Sequence, residues 1–339
     1  MPKDITHWVL AEKAFQNLDD GSTIKKIIRS RKNLYLIGAV APDTPFYVIY
    51  GRRSRLLHEL AEAVHDRRPD SYTVFDGLHA LFGERLPEPA LALMFGVISH
   101  IHADAVFHPF VYFFSGIDSG VKKEDNRASV RHHTLEAYLD LYMQQKIAIP
   151  SRLFLRYLKR IEIDRFFFPA MLAALFSLHG KAAVRLMNKA VRMNALFQSL
   201  FEKDLPRHLL SLLNRFAGVD VATFLSYFYP SPKPNPTRLF GKPFCCRHPA
   251  TGEQMRLSVD QLADTAIRRT VDVFEALESE LQKGGHPSEI LARLKGPNLY
   301  SGRTDCGKAD FHLFDTSTDI STLVSSDSGD ATSQGISAD

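Results

Sequence analysis

Residues 95–109 read Phe-Gly-Val-Ile-Ser-His-Ile-His-Ala-Asp-Ala-Val-Phe-His-Pro, and this run restricts the chain more than any other. In an α-helix each four-residue step turns only about 40° around the axis, so His100, Asp104 and His108 project as one stripe. The apolar Ile98, Ile101, Ala105 and Val106 fall on other faces. Two imidazoles and a carboxylate on one stripe are donors that zinc accepts. Proline ends most helices, so Pro109 predicts that the helix goes little further than His108 and that this side chain turns toward a second metal.

A second pair, His132 and Glu136, has the same four-residue spacing, with Asp140 one turn on and His133 as an alternative to His132. Either pair alone is also what an ordinary i, i+4 contact looks like. Together, projecting from two facing helices, they resemble the way helix bundles build metal sites. Further donors lie upstream. His7 is near the start, Asp43 sits in a proline-flanked loop (Gly38-Ala-Val-Ala-Pro-Asp43-Thr-Pro), and His65-Asp66 is a lone doublet. Fourteen histidines supply ample imidazole.

The rest of the chain predicts an all-α fold. Helical periodicity recurs at Leu56, Leu57, Leu60, Ala63 and Val64, at Leu135, Tyr138, Leu139 and Tyr142, and at Val259, Leu262, Ala266 and Val273. Breakers at Pro42–Pro45, Pro87–Pro89, Pro150, Pro230–Pro236 and Gly284–Gly285 separate about ten to twelve helices. Three parts are expected: a chemical domain over 1–148, a helical extension packing on it over 149–308, and a disordered acidic Ser/Thr-rich tail over 309–339. A long helix is predicted from Asp260 through Leu281.

Charge sharpens the picture. The chain is +4 overall, yet the tail carries six aspartates and no lysine or arginine, so the body is +10. A basic body suits phosphate esters, lipid surfaces or nucleic acid, but no sequence-specific nucleic-acid motif is present. The N-terminus lacks a secretory pattern, and the apolar run 166–178 contains Pro169 and is too short to cross a bilayer. A soluble cytoplasmic protein is expected, with peripheral membrane contact through 166–178 as a secondary reading. Cys245, Cys246 and Cys306 read as reduced thiols.

Taken in order, Ile5-Thr6-His7, Gly38 to Asp43, His65-Asp66, Gly96 to Pro109 and His132-x3-Glu136 resemble the zinc-dependent phospholipase C/D family. Its relatives include bacterial phospholipases C, glycosylphosphatidylinositol-specific phospholipase D and, more distantly, single-strand nucleases. The resemblance implies a compact multi-helix bundle and a hydrolase cleaving phospholipid or another phosphodiester through metal-activated water. It implies that Asp43, His65, His100 and Asp104 hold one zinc and His108, His132 and Glu136 another. Asp104 would bridge to a third held by His7, and Asp43 would be ligand or general base, with His58 the alternative to His65. Bacterial phospholipases C use His-x3-Asp-x5-His and the amine of a processed N-terminal Trp. The His-x3-Asp-x3-His here is nearer the phospholipase D branch and leaves open which ester bond breaks. Arg52, Arg53, Arg67, Arg68 and Arg131 are candidate phosphate contacts. The rival reading is a non-catalytic zinc-stabilised scaffold or membrane-surface adaptor.

Overall fold

The computed structural model describes residues 3–83, 85–117, 122–147, 168–216, 221–231, 240, 242–283 and 285–317. The helices α1 (Asp4–Asn17), α2 (Thr23–Ser30) and α3 (Lys32–Gly38) lead into a 3-10 segment, Ala41–Tyr47. Next come α4 (Ser54–His65), a second 3-10 turn (Ser71–Phe75), α5 (Asp76–Phe82), α6 (Glu88–Ser115) and α7 (Lys122–Met143). Then follow α8 (Phe168–Leu175), α9 (Gly180–Phe201), α10 (Asp204–Phe216) and α11 (Ala222–Ser226). An antiparallel hairpin pairs β1 (Phe244–Arg247) with β2 (Gln254–Leu257), Cys246 opposite Met255. It precedes α12 (Val259–Gln282) and α13 (Pro287–Leu294). The fold is all-α apart from this hairpin, as the periodicity predicts, and the three cysteines are free.

α6 is the axis of the molecule. Ala90 through Ser115 are all buried, with apolar side chains on every face, which is the pattern of a core helix wrapped on all sides. Its composition would also allow it to cross a bilayer, but 94% of its apolar stretch lies inside the fold. One apolar cluster gathers α3, α8, α9 and the first half of α6 as far as Ile101. A second begins at Ala103 and gathers α1, α7, the hairpin and α12. His100, Asp104 and His108 therefore sit where α6 passes from one core to the other.

Two close backbone contacts fix the neighbours of α6. A Cβ on Gly96 would lie 2.0 Å from the Tyr35 oxygen, and one on Gly38 would lie 2.4 Å from the Leu93 oxygen, so α3 and α6 touch backbone to backbone. Against expectation, α6 does not stop near His108 but runs through Pro109 to Ser115. Proline deprives the carbonyl four residues back of its helical partner, here that of Ala105. Gly302, at φ +70°, packs on that carbonyl so closely that a Cβ would come within 2.1 Å of it.

Carboxylates from distant helices cap two helix starts. Asp140 of α7 accepts from the Ile5 and Thr6 amides and the Thr6 hydroxyl at 3.3, 2.8 and 2.6 Å. Glu278 of α12 accepts from the Ser22 hydroxyl and the Thr23 and Ile24 amides at 2.7, 2.8 and 2.9 Å. The sequence places Asp140 one turn beyond a metal pair; the structure uses it to anchor the helix that carries His7. α12 opens on a capping box between Ser258 and Gln261.

The run expected at 166–178 is core where it is described, with Phe168, Met171, Leu172 and Phe176 buried; Phe166 and Phe167 lie outside the described residues. The proposed tail start at 309 comes too early. Phe311 is buried, His312 and Leu313 donate to the Pro249 carbonyl, and the Asp315 amide donates to the Phe113 carbonyl. Phe311 gives this stretch an apolar anchor that the aspartates on either side conceal in a composition count. Residues 318–339 lie outside the described residues.

Candidate metal centre

The α6 stripe forms as its spacing predicts, and three other elements bring donors to it. The His100 and His65 Nε2 atoms lie 3.1 and 3.3 Å from Asp104 Oδ2, and they approach Asp43 Oδ1 to 3.5 and 3.0 Å. Asp43 comes from the Ala41–Tyr47 turn and His65 from the end of α4. One donor atom from each of Asp43, His65, His100 and Asp104 falls within 4.8 Å of the others, all four side chains being buried, and such a group can hold a metal ion. His108, His132 and Glu136 form a second group of the same kind, with the His132 Nε2 2.8 Å from Glu136 Oε1.

The imidazoles are oriented from behind. The Nδ1 of His100 donates to the Ala39 carbonyl at 2.9 Å, that of His65 to Ala61 at 2.8 Å, and that of His108 to Leu299 at 2.6 Å. With Nδ1 committed as donor, the neutral ring presents its Nε2 lone pair inward, which is how ligating histidines are ordinarily braced. The Nε2 atoms of His100 and His108 and both oxygens of Asp104 are buried without a well-formed hydrogen bond. Buried polar atoms are rarely left so. Imidazole nitrogens and carboxylate oxygens converging in this way suit a divalent zinc ion.

Electrostatics divide the donor set. Burial works against ionising Asp104, yet the facing His108 and His100 rings hold its pKa well below the usual carboxylate range. Burial lowers the pKa of His108 and His132 well below the ordinary imidazole value. Burial also pulls His65 down, but Asp104 and Asp43 outweigh it and push it up to about 10. An anionic carboxylate facing imidazoles that compete for protons is a pocket seeking positive charge.

His7 stacks on His100, ring centroids 4.3 Å apart, and places its Nε2 3.3 Å from Asp104 Oδ1. It thus faces the oxygen of Asp104 opposite to the one that His65 and His100 approach. The alternatives His58 and His133 fall outside both donor groups. His58 packs on Phe46, and His133 turns away toward the Ser226 hydroxyl and the Tyr227 ring.

A cavity of about 340 Å3 opens onto the centre, with Asp43, His132 and Glu136 in its wall. Its positive groups are Lys3 and Lys308, whereas Arg52, Arg53, Arg67, Arg68 and Arg131 do not line it. Arg68 pairs with Asp310, and Arg131 donates to the Ser115 carbonyl. Burial lowers the pKa of Lys3 to about 8, and burial raises that of Asp4, beside it in the wall, to about 7, with Asp43 adding to the shift.

The segment 296–311 supplies parts of the centre that sequence reasoning missed. Tyr300 stacks on His65 at 5.6 Å, lies 5.3 Å from His108, and donates its hydroxyl to Glu62 at 2.6 Å. Lys308 sits over the Tyr112 and Tyr300 rings, 3.6 Å from Glu62. The Leu299 amide donates to the His65 carbonyl, the Gly296 amide to Asp70, and the Asn298 side chain to Asp66.

This arrangement, two clusters of nitrogen and oxygen donors around an all-helical core, is one that zinc hydrolases use. The family model of zinc dependent phospholipase C matches residues 6–180, more than half of the chain, and the chain belongs to that family. No curated protein and no solved structure matches it. Every donor described above falls within the matched span, whereas Leu299, Tyr300 and Lys308 lie beyond it.

Proposed function

We propose that the protein is a zinc-dependent phosphodiester hydrolase of phospholipase C type, acting on phospholipids. The observation that carries this reading is the pair of buried donor groups at the edge of one cavity. In it, Asp43, His65, His100 and Asp104 hold one zinc and His108, His132 and Glu136 a second; His7 and the remaining oxygen of Asp104 offer a place for a third. Bound zinc supplies a water made nucleophilic near neutral pH and charge to match the phosphate.

The chain's own residues do the rest. Asp43 lines the cavity, and besides serving as a ligand it would act as the base that receives the proton of the attacking water. Lys308, steadied by Glu62 and two tyrosine rings, offers a positive charge to a phosphate oxygen. Phe197, Phe201 and Tyr227 give the cavity an apolar side suited to the glycerol and first acyl carbons of a lipid. A closed structural zinc needs only four ligands and leaves no room for substrate, so this open cavity favours the enzyme over the scaffold.

Metal analysis tests the assignment together with a product assay. Wild type should carry two zinc ions per chain or more, Asp104→Asn should lose the zinc of the first group, and Glu136→Gln should lose that of the second. Diacylglycerol from phosphatidylcholine would establish C-type cleavage and phosphatidic acid D-type. Stoichiometric zinc with no turnover of phosphatidylcholine, phosphatidylinositol or a soluble phosphodiester would remove the hydrolase reading.

A further inference from the structure

α10 has an apolar face that nothing described covers. Leu205, Leu209, Leu212 and Leu213 recur at the spacing of one helical stripe, and they are 70%, 54%, 51% and 52% exposed. Single exposed leucines are unremarkable, but four on one helix make a contiguous patch of the kind that marks a contact surface. The helix that leads into it is equally one-sided. Along α9 the exposed positions Lys181, Arg185, Lys189, Arg192 and Leu196 succeed one another at three- and four-residue steps, and α9 contains no acidic residue.

α9 reaches the cavity, and α10 follows it directly in the chain. Phe197, Phe201 and Glu202, at the end of α9, line the cavity, and α10 begins two residues later. Ile49 also lines the cavity while 40% exposed, and Tyr50, 58% exposed, bonds Met193 of α9 and lies under Lys189. Exposed apolar Ile49 thus lies at the cavity, and the basic stripe of α9 reaches the neighbouring Tyr50 through Lys189.

We infer that α10, with the basic face of α9, is the surface by which this protein docks on an anionic phospholipid bilayer. The leucines enter the acyl boundary and the arginines and lysines meet the headgroups, the division of labour of an interfacial amphipathic helix. The inference rests on the phospholipase reading for its biological sense, though not for its physics. A second copy of the chain would bury the leucines as well, but a self-contact would gain nothing from a basic stripe facing its own repeat.

Flotation with phosphatidylcholine vesicles, with and without phosphatidylserine, tests the docking. Wild type should float with the phosphatidylserine vesicles and less so as salt rises. Leu209→Ser/Leu212→Ser should lose about tenfold or more in partitioning, and Arg185→Gln/Arg192→Gln should lose the preference for phosphatidylserine. Leu205→Ser is the milder substitute if the double variant melts early. Equal flotation of wild type and leucine variants overturns the proposal, as does no flotation of wild type. A dimer that becomes a monomer in the leucine variant, with flotation unchanged, assigns the face to self-association instead. Turnover of a soluble phosphodiester, which the leucine substitutions should leave intact, keeps the readings apart: flotation without turnover of phosphatidylcholine, phosphatidylinositol or the soluble phosphodiester sinks the hydrolase alone, and turnover without flotation sinks the docking alone.

Discussion

Asp140 shows how a buried side chain can serve a site without touching it. Its carboxylate receives four donors, the Ile5 and Thr6 amides, the Thr6 hydroxyl and the Tyr229 hydroxyl at 2.6 Å, and so fixes the helix start from which His7 projects. A carboxylate accepts on both oxygens, whereas an amide places its own hydrogens against some of those donors. Asp140→Asn should therefore destabilise the fold by about 1–3 kcal/mol, read by thermal denaturation, while a Tyr229→Phe variant loses one donor and should cost less. The sequence displayed Asp140 as the next turn of a metal pair, and spacing alone does not distinguish a ligand from a cap. It did reveal His100, Asp104 and His108, because i, i+4 spacing within one helix survives without tertiary context. Tyr300 and the Leu299 carbonyl were illegible. An aromatic residue some 190 positions away has no spacing relation to the stripe, and a backbone carbonyl has no letter at all.

At the scale of elements, helix starts and helix contacts are set by partners far away in sequence. Glu278 is the clearest case. Burial would raise its pKa, but the Ile24 and Thr23 amides and the Ser22 hydroxyl outweigh burial and lower it from 4.5 to about 2. A carboxylate depressed in the folded state adds stability above its unfolded pKa and loses it as pH falls through the folded one. The stability gap between wild type and Glu278→Gln should accordingly be full at neutral pH and close between about 4.5 and about 2, as followed by melting across that range. A constant gap would mean that the charge is not what Glu278 contributes. The reading of α6 as ending near Pro109 failed at this same scale: a helix-breaking residue is judged by its local cost, whereas Pro109 sits in a helix that the rest of the chain buries from Ala90 to Ser115.

Across the whole molecule, the metal centre joins two cores rather than lying on one. α6 carries the donors at the point where the first apolar cluster ends and the second begins, and α1, α4, α7 and the segment 296–311 converge there. Removing bound zinc would leave buried donors facing each other without a cation. An ion that binds the folded state alone stabilises it by about 4 kcal/mol at a free concentration ~1,000-fold above its dissociation constant. Chelation should thus lower the melting temperature by roughly 10 °C, with recovery on adding zinc and none on adding magnesium, which disfavours imidazole. An unchanged melt with demonstrated loss of zinc would mean that the two cores hold together without it.

The brace on His108 bears on how such a protein comes into being. All the metal donors lie at or before Glu136, yet the carbonyl that aims His108 belongs to Leu299, roughly half the chain further on. During synthesis the donors leave the ribosome long before their support does. A nascent chain would pass through a stage in which its histidines and aspartates can meet zinc but are not yet held in register, and only the arrival of Leu299 and Tyr300 closes the site.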